Sequence, residues 1–249
     1  MKSTLRFTGR VANYVKYRPS YPEAILNLLE KEIDFDQQKD VADIGSGTGK
    51  LSKLFLNNEN LVYGVEPNDE MREAGEKILK DYINFISINA TAEFTALADK
   101  CVDLIVSGQA FHWFDSDKAK TEFQRIIRPG GFVVLMWNKR DTDVSPFMQE
   151  YDSLVREFCP DYVPEDGIDD SVLNGFYGVK NFRRANFKNL QTFDYSGLKG
   201  RLLSASYAPM EGDCSKEMLK KLKEIFEKHN KDGKIYFVYN TKVYFGKIK

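Results

Sequence analysis

Apolar positions along the chain fall into two kinds of stretch. Some are short and nearly continuous, and between them apolar residues recur every three or four positions. The first kind reads as buried strand and the second as amphipathic helix. A strand is predicted to end at Ile44, and further strands over 61–65, 83–88, 102–106 and 132–137, with helices over 70–79 and 117–127. The segment 91–100 has room only for a short helix. Apolar strands alternating with amphipathic helices argue for an α/β fold with a parallel sheet covered on both faces. Ligands of such sheets sit beyond the carboxyl ends of the strands, so the residues just after each strand carry the most information.

The flanks of this alternating region are patterned as well. Pro22 suits the first turn of a helix striped by Ile25, Leu26 and Leu29. Ser145 and Pro146 open another, with Phe147, Met148, Tyr151, Leu154, Val155 and Phe158 on one face. The acidic, turn-rich segment 161–170 reads as a solvated loop, and 187–195 as a strand. A helix over 213–229 buries Met218, Leu219, Leu222, Ile225 and Phe226, and 234–249 closes the chain with β-rich sequence. No repeat or low-complexity linker divides the chain. The expectation is one domain over 1–249: lid or cap helices over 1–35, a ligand-binding core over 38–140, and substrate-side helices with the last two strands over 145–249.

The first strand leads into VADIGSGTGK at 41–50, where Gly45, Gly47 and Gly49 permit backbone turns closed to other residues. Leu51, Leu54 and Phe55 then follow at helical spacing, a strand–turn–helix opening suited to nucleotide-like ligands. Two better-known loops of this kind fail on spacing. A dinucleotide-binding loop needs a third glycine where Lys50 stands, and a triphosphate-gripping loop needs glycine at Ile44 and Ser or Thr at Leu51. Asp43 adds a charge argument, because a like charge near 4 Å costs roughly 4 kcal/mol at an effective dielectric of about 20. Pyrophosphate is disfavoured. A ligand carrying ammonium and sulfonium groups, with one carboxylate turned to backbone amides, is favoured, and S-adenosylmethionine has that combination.

Composition narrows the partners. The 36 Lys and Arg nearly balance 37 Asp and Glu, so no global field points to nucleic acid or an anionic membrane. Cys101, Cys159 and Cys214 are odd in number and lack CxxC spacing, which indicates neither a disulfide framework nor a zinc site, and no metal is expected. The start lacks an apolar signal core, and the longest apolar run, 132–137, is far short of the roughly 20 residues a membrane helix needs. A cytoplasmic protein, monomeric or weakly dimeric, acting on a small molecule is the expectation.

Candidate side chains follow from the strand ends. Glu66 stands where an acid accepts hydrogen bonds from ribose hydroxyls, with Pro67 turning the chain and Met71 near an adenine. Asn89 to Glu93 form a small-residue loop against which a ring can lie flat. The run from Gln109 to Asp115 contains Phe111, His112, Trp113 and Phe114; Trp113 or Phe111 suits stacking on adenine or facing a sulfonium. His112 reads either as a general base or as pocket wall. The aromatic, arginine-bearing segment 7–22, with Phe7, Arg10, Tyr14, Tyr17, Arg18 and Tyr21, either caps the core or lids a pocket, Arg18 then pairing with a carboxylate. Segment 198–207 carries Arg201, Ser204, Ser206 and Tyr207, which either satisfy helix ends or line a pocket.

With these residues in place the chain resembles the class I S-adenosylmethionine-dependent methyltransferases. The resemblance rests on DIGSGTG at 43–49, Glu66, the pair Ala92–Glu93, and IRPGGFVVLMW ending at Trp137, all in the family's order. The segments QAFHWFD and YVKYRPSYP are similar to a small-molecule branch that includes trans-aconitate methyltransferase-like proteins. The resemblance implies a Rossmann-like seven-stranded, mostly parallel sheet with an antiparallel last strand and helices on both faces. It further implies that Gly45, Ser46, Gly47, Thr48 and Gly49 wrap the methionine part, Asp43 orients it, Glu66 holds the ribose, and Ala92 and Glu93 lie near the adenine. Gln109, His112 and Trp113 face the sulfur end, and S-adenosylhomocysteine is the product. Tyr14, Tyr17, Arg18, His112, Trp137, Asn138, Ser206 and Tyr207 are the residues expected around the acceptor, a carboxylate or hydroxyl compound. A nucleic-acid methyltransferase is the rival reading, opposed by SGQAFHW, which holds neither an Asp/Asn-Pro-Pro-aromatic tetrapeptide nor a Pro-Cys pair. A cofactor-binding regulatory protein without turnover is the other.

Overall fold

The computed structural model describes residues 11–162 and 168–248. Phe7 and Arg10 of the N-terminal segment, the middle of the acidic loop, and Lys249 lie outside the described residues. Within them the chain forms a seven-stranded sheet in the order β3-β2-β1-β4-β5-β7-β6. The strands are β1 (Val41–Ile44), β2 (Val62–Val65), β3 (Phe85–Ile88), β4 (Val102–Gly108), β5 (Ile127–Arg140), β6 (Phe182–Phe193) and β7 (Ile235–Gly246). Strands β1 to β5 run parallel, whereas β7 lies antiparallel to both β5 and β6.

The helices are α1 (Val11–Tyr17), α2 (Ala24–Ile33), α3 (Ser52–Leu56), α4 (Asp69–Leu79), α5 (Ser116–Ile126), α6 (Pro146–Phe158), α7 (Asp170–Tyr177), α8 (Tyr195–Leu203) and α9 (Gly212–His229). Every residue of β1 is buried, because successive side chains enter different cores. Ala42 and Ile44 join Phe123, Phe176 and Tyr177 on one face. Val41 joins Ile25, Leu29, Phe55 and Phe245 on the other. A third core packs α6, α8 and α9 on the ends of β6 and β7 through Tyr151, Leu198, Leu222 and Phe237.

Local chemistry sets the element ends. The Asn68 side chain accepts from the Met71 N–H at 2.9 Å and starts α4, and Ser145 accepts from Met148 and starts α6 with Pro146 behind it. Asp194 accepts from the Gly197 N–H at 2.7 Å, so β6 ends at Phe193 and Tyr195 is helical rather than extended. Strand β6 begins before 187, where its alternate residues, such as Arg184 and Lys188, face water at the sheet edge and dilute the apolar signal.

Three further expectations change. Ile83 is fully exposed, since a turn from the Phe85 N–H to the Tyr82 carbonyl delays β3. Segment 91–100 holds no helix: Ala96 and Lys100 adopt left-handed backbone that interrupts one. Helix α7, hidden behind the acidic loop, is started by Asp169 and buries Leu173, Phe176 and Tyr177.

Candidate functional site

A cavity of about 690 Å³ opens at the carboxyl ends of the parallel strands. Its floor is the loop after β1, where Asp43, Gly45, Ser46, Gly47 and Thr48 line it, and one wall is the segment after β4, with Gln109, Phe111, His112, Trp113 and Phe114. The glycine loop takes this path because Gly45 and Gly47 sit at φ +71° and +57°, a region other residues rarely adopt. A Cβ on Gly45 would also approach the Ala110 Cβ to 2.6 Å. The loop and the β4 wall are therefore in direct contact.

Asp43 is fully buried beneath this loop. Its Oδ2 accepts from the Ser52 hydroxyl at 2.6 Å, while Oδ1 has no partner. Burial pushes its pKa up to about 7, with the Ser52 hydrogen bonds opposing and the Glu66 charge adding to the rise. Thr48 Oγ1 and Ser107 Oγ are likewise buried without partners. Unsatisfied buried polar atoms are rare in folded proteins, and their grouping at the strand ends suits a polar ligand with hydrogen-bond donors.

Glu66 lies behind the loop rather than on the cavity wall. Its Oε2 accepts from the Gly47 N–H at 2.9 Å and its Oε1 from the Asn68 N–H at 2.8 Å. Burial raises its pKa, while these two backbone donors hold it down. A carboxylate accepts about four hydrogen bonds, so Glu66 braces the loop and keeps capacity for hydroxyl donors. The Met71 methyl packs at Gly47, and Ala92 is buried in the core. Glu93 accepts from the Asp115 N–H at 2.9 Å and so ties the loop after β3 to the loop after β4. Pro67 is half-buried at the turn into α4, and Gly49 sits beneath Leu79, out of the cavity.

The predicted acceptor residues divide. Tyr14, Arg18, His112, Trp137, Asn138, Ser206 and Tyr207 all line the cavity. Tyr17 does not: its ring packs at Gly200 and edge-on to Phe193, which pins α1 to α8. Asn138 spends its amide on Ser20, Asn189 and Thr241. Arg18 donates to the hydroxyl and carbonyl of Ser204, and its guanidinium lies 5.3 Å from the Tyr14 ring. Phe111 is core, edge-on to Phe176 at 4.7 Å, whereas His112 and Trp113 are exposed on a 3-10 turn at the cavity mouth, ring centroids 4.6 Å apart.

Further residues line the cavity, among them Arg201, one of the polar residues of 198–207. Lys50, out of place for a nucleotide loop, donates to the Val15 carbonyl at 2.8 Å; burial, then the charges of Lys53 and Arg18, lowers its pKa to about 8. Arg140 at the end of β5 and Arg201 of α8 line the inner end with Tyr162. The apolar run of β5 ends in NKR, the one hint of Arg140 in the sequence.

Residues 42–135 match the family described as a methyltransferase domain. An uncharacterized methyltransferase of Oceanobacillus iheyensis is 31% identical over 203 residues, covering 75% of this chain and 86% of its own. The chain belongs to the methyltransferases. An uncharacterized methyltransferase of Schizosaccharomyces pombe is 30% identical over 152 residues, 61% of this chain and 59% of its own length. The chain thus spans little more than half of the first curated relatives it matches. A structure from Anaeromyxobacter dehalogenans, provisionally described as a type II methyltransferase, shares the fold at a TM-score of 0.69 and 19% identity, over 93% of this chain and 98% of that one. Phosphoethanolamine N-methyltransferase 2 of Haemonchus contortus, solved with S-adenosylhomocysteine, shares it at 0.58 and 15% identity, over 99% of this chain and 59% of that one. Together with the sheet order, these place the family member in class I, with the Rossmann-like fold. Among the described residues no helix is long and apolar enough to cross a membrane.

Proposed function

We propose that this chain binds S-adenosylmethionine and transfers its methyl group to a small-molecule acceptor. The observation that carries the reading is the unpartnered Asp43 Oδ1, buried under a glycine loop at the edge of a large cavity. An acceptor atom held there without a donor fits a ligand with an ammonium group, and the raised pKa of Asp43 falls back when such a cation arrives. Gly45, Ser46, Gly47 and Thr48 hold the methionine part, Glu66 takes the ribose hydroxyls while bracing Gly47, and Trp113 faces the sulfonium side.

The cofactor, when bound, supplies a methyl group on an already activated leaving group. Positioning is then the protein's main task, worth up to roughly 7–11 kcal/mol in favourable cases. The chain's residues exclude water from the inner cavity and orient the acceptor between the β4 wall and α8. For a phenol or amine acceptor His112 is the residue within the cavity mouth suited to take the proton; a carboxylate needs no base.

Incubation with S-adenosylmethionine and a metabolite library, read as S-adenosylhomocysteine release, tests the reading. Turnover with at least one small acceptor is expected. Binding of the cofactor with silence across the library would favour a regulatory role instead.

A further inference from the structure

At Arg140 and Arg201 the cavity holds more buried positive charge than the described residues neutralise. Arg140 and Arg201 are both buried, and both line the cavity. Among the described residues the buried carboxylate paired with this cluster is Asp152 of α6. It serves Arg140 Nη2 at 3.2 Å and Arg156 Nε at 2.6 Å, and accepts from the Tyr162 hydroxyl at 3.3 Å. Two guanidinium groups, those of Arg140 and Arg156, therefore share this acid.

Arg201 has no ion pair among the described residues. Its Nε donates to the Tyr239 hydroxyl at 2.8 Å, and the guanidinium lies 5.3 Å from the Phe237 ring centroid. Arg140 Nη1 is buried with no hydrogen-bond partner, its guanidinium 4.8 Å from the Tyr162 ring. Ring faces attract a cation but do not replace a counter-charge. A buried charge without one is strongly unfavourable, and an anionic ligand group would supply it. The planar, multi-donor fork of arginine matches carboxylate and phosphate oxygens.

We infer that Arg140 and Arg201 form an anion subsite that anchors a carboxylate or phosphate group of the acceptor. The subsite is built on β5 and α8, whereas the glycine loop follows β1, so the anchored anion is a group that fixes the acceptor's orientation. It selects for acceptors carrying an acidic group and rejects neutral ones, whose binding leaves Arg201 without a counter-charge and Arg140 Nη1 without an acceptor. The inference rests on the reading of this cavity as an acceptor site, but the anion binding itself is measurable without turnover.

The probes are benzoate, phenyl phosphate and the neutral benzamide, titrated by calorimetry and ligand-detected NMR into the full chain saturated with S-adenosylhomocysteine. At least one anion is expected to bind at least about tenfold more tightly than benzamide, and which one distinguishes carboxylate from phosphate. R140M and R201M, which keep apolar volume, are expected to lose that preference at least about tenfold while binding S-adenosylhomocysteine as the wild type does. R201K, which keeps the charge, should retain part of it. Equal binding of anions and benzamide by the wild type would overturn the inference, as would an anion preference that survives in both methionine variants. If a methionine variant fails to fold, judged by its melting curve, the wild-type comparison and R201K decide alone. Failure of S-adenosylhomocysteine to bind would instead count against the methyl-donor reading, with the anion titration then run on the free chain.

Discussion

Replacing Asp43 by asparagine separates what this carboxylate does to the fold from what it does for the ligand. Asp43 is fully buried and its pKa rises from 3.8 to about 7. Its native pKa exceeds its unfolded one, so the native state holds the extra proton between pH 4 and 7 and stability falls as pH rises through that window. About three pK units at about 1.4 kcal/mol each give a penalty of roughly 4 kcal/mol, complete above pH 7 and absent below pH 4. Asparagine keeps an oxygen for the Ser52 hydroxyl but puts an N–H where Oδ1 has no partner, returning about 1–3 kcal/mol. Asp43→Asn is therefore expected to stabilise the ligand-free protein at pH 8 by about 1–3 kcal/mol and to leave it unchanged or weaker at pH 5. Urea unfolding of both proteins from pH 5 to 8 reads this difference. In the same series, wild-type affinity for S-adenosylmethionine should fall by up to about tenfold per unit below pH 7, as Asp43 takes up its proton, and the variant should be weak and flat. Parallel stability profiles for the two proteins would refute the reasoning.

Two other substitutions probe the same floor. Glu66→Ala removes the acceptor of the Gly47 and Asn68 N–H groups and should weaken cofactor binding by about 1.5–3 kcal/mol in calorimetry; unchanged affinity would refute the ribose assignment. Gly45→Ala forces a side chain into left-handed backbone against Ala110 and should lower stability by about 1–3 kcal/mol in thermal unfolding, with loss of cofactor affinity.

The loop, its glycines and Asp43 were legible because their chemistry is encoded in neighbouring residues, and the parallel order followed from apolar runs of strand length. Glu66 was legible by position, but its bond to Gly47 was not, since nothing in spacing shows which donor meets a carboxylate. Tyr17 looked like part of a ligand cluster with Tyr14 and Arg18; its neighbours in space are Gly200 and Phe193, supplied by the far end of the chain. Helix α7 was lost because its cap, Asp169, reads as one more acid of a solvated loop. Arg140, Asp152 and Arg201 come from a strand and two helices with no shared local pattern. Arg201 reads in the sequence as a polar group that satisfies a helix end or lines a pocket, and its missing counter-charge is a property of the assembled core.

Calorimetric titration of S-adenosylmethionine into the wild-type chain at pH 8, with NADH as control, tests the central claim most directly. Saturable one-to-one binding of S-adenosylmethionine, matched by S-adenosylhomocysteine and absent for NADH, is the predicted result. Binding of NADH without binding of S-adenosylmethionine would contradict the account.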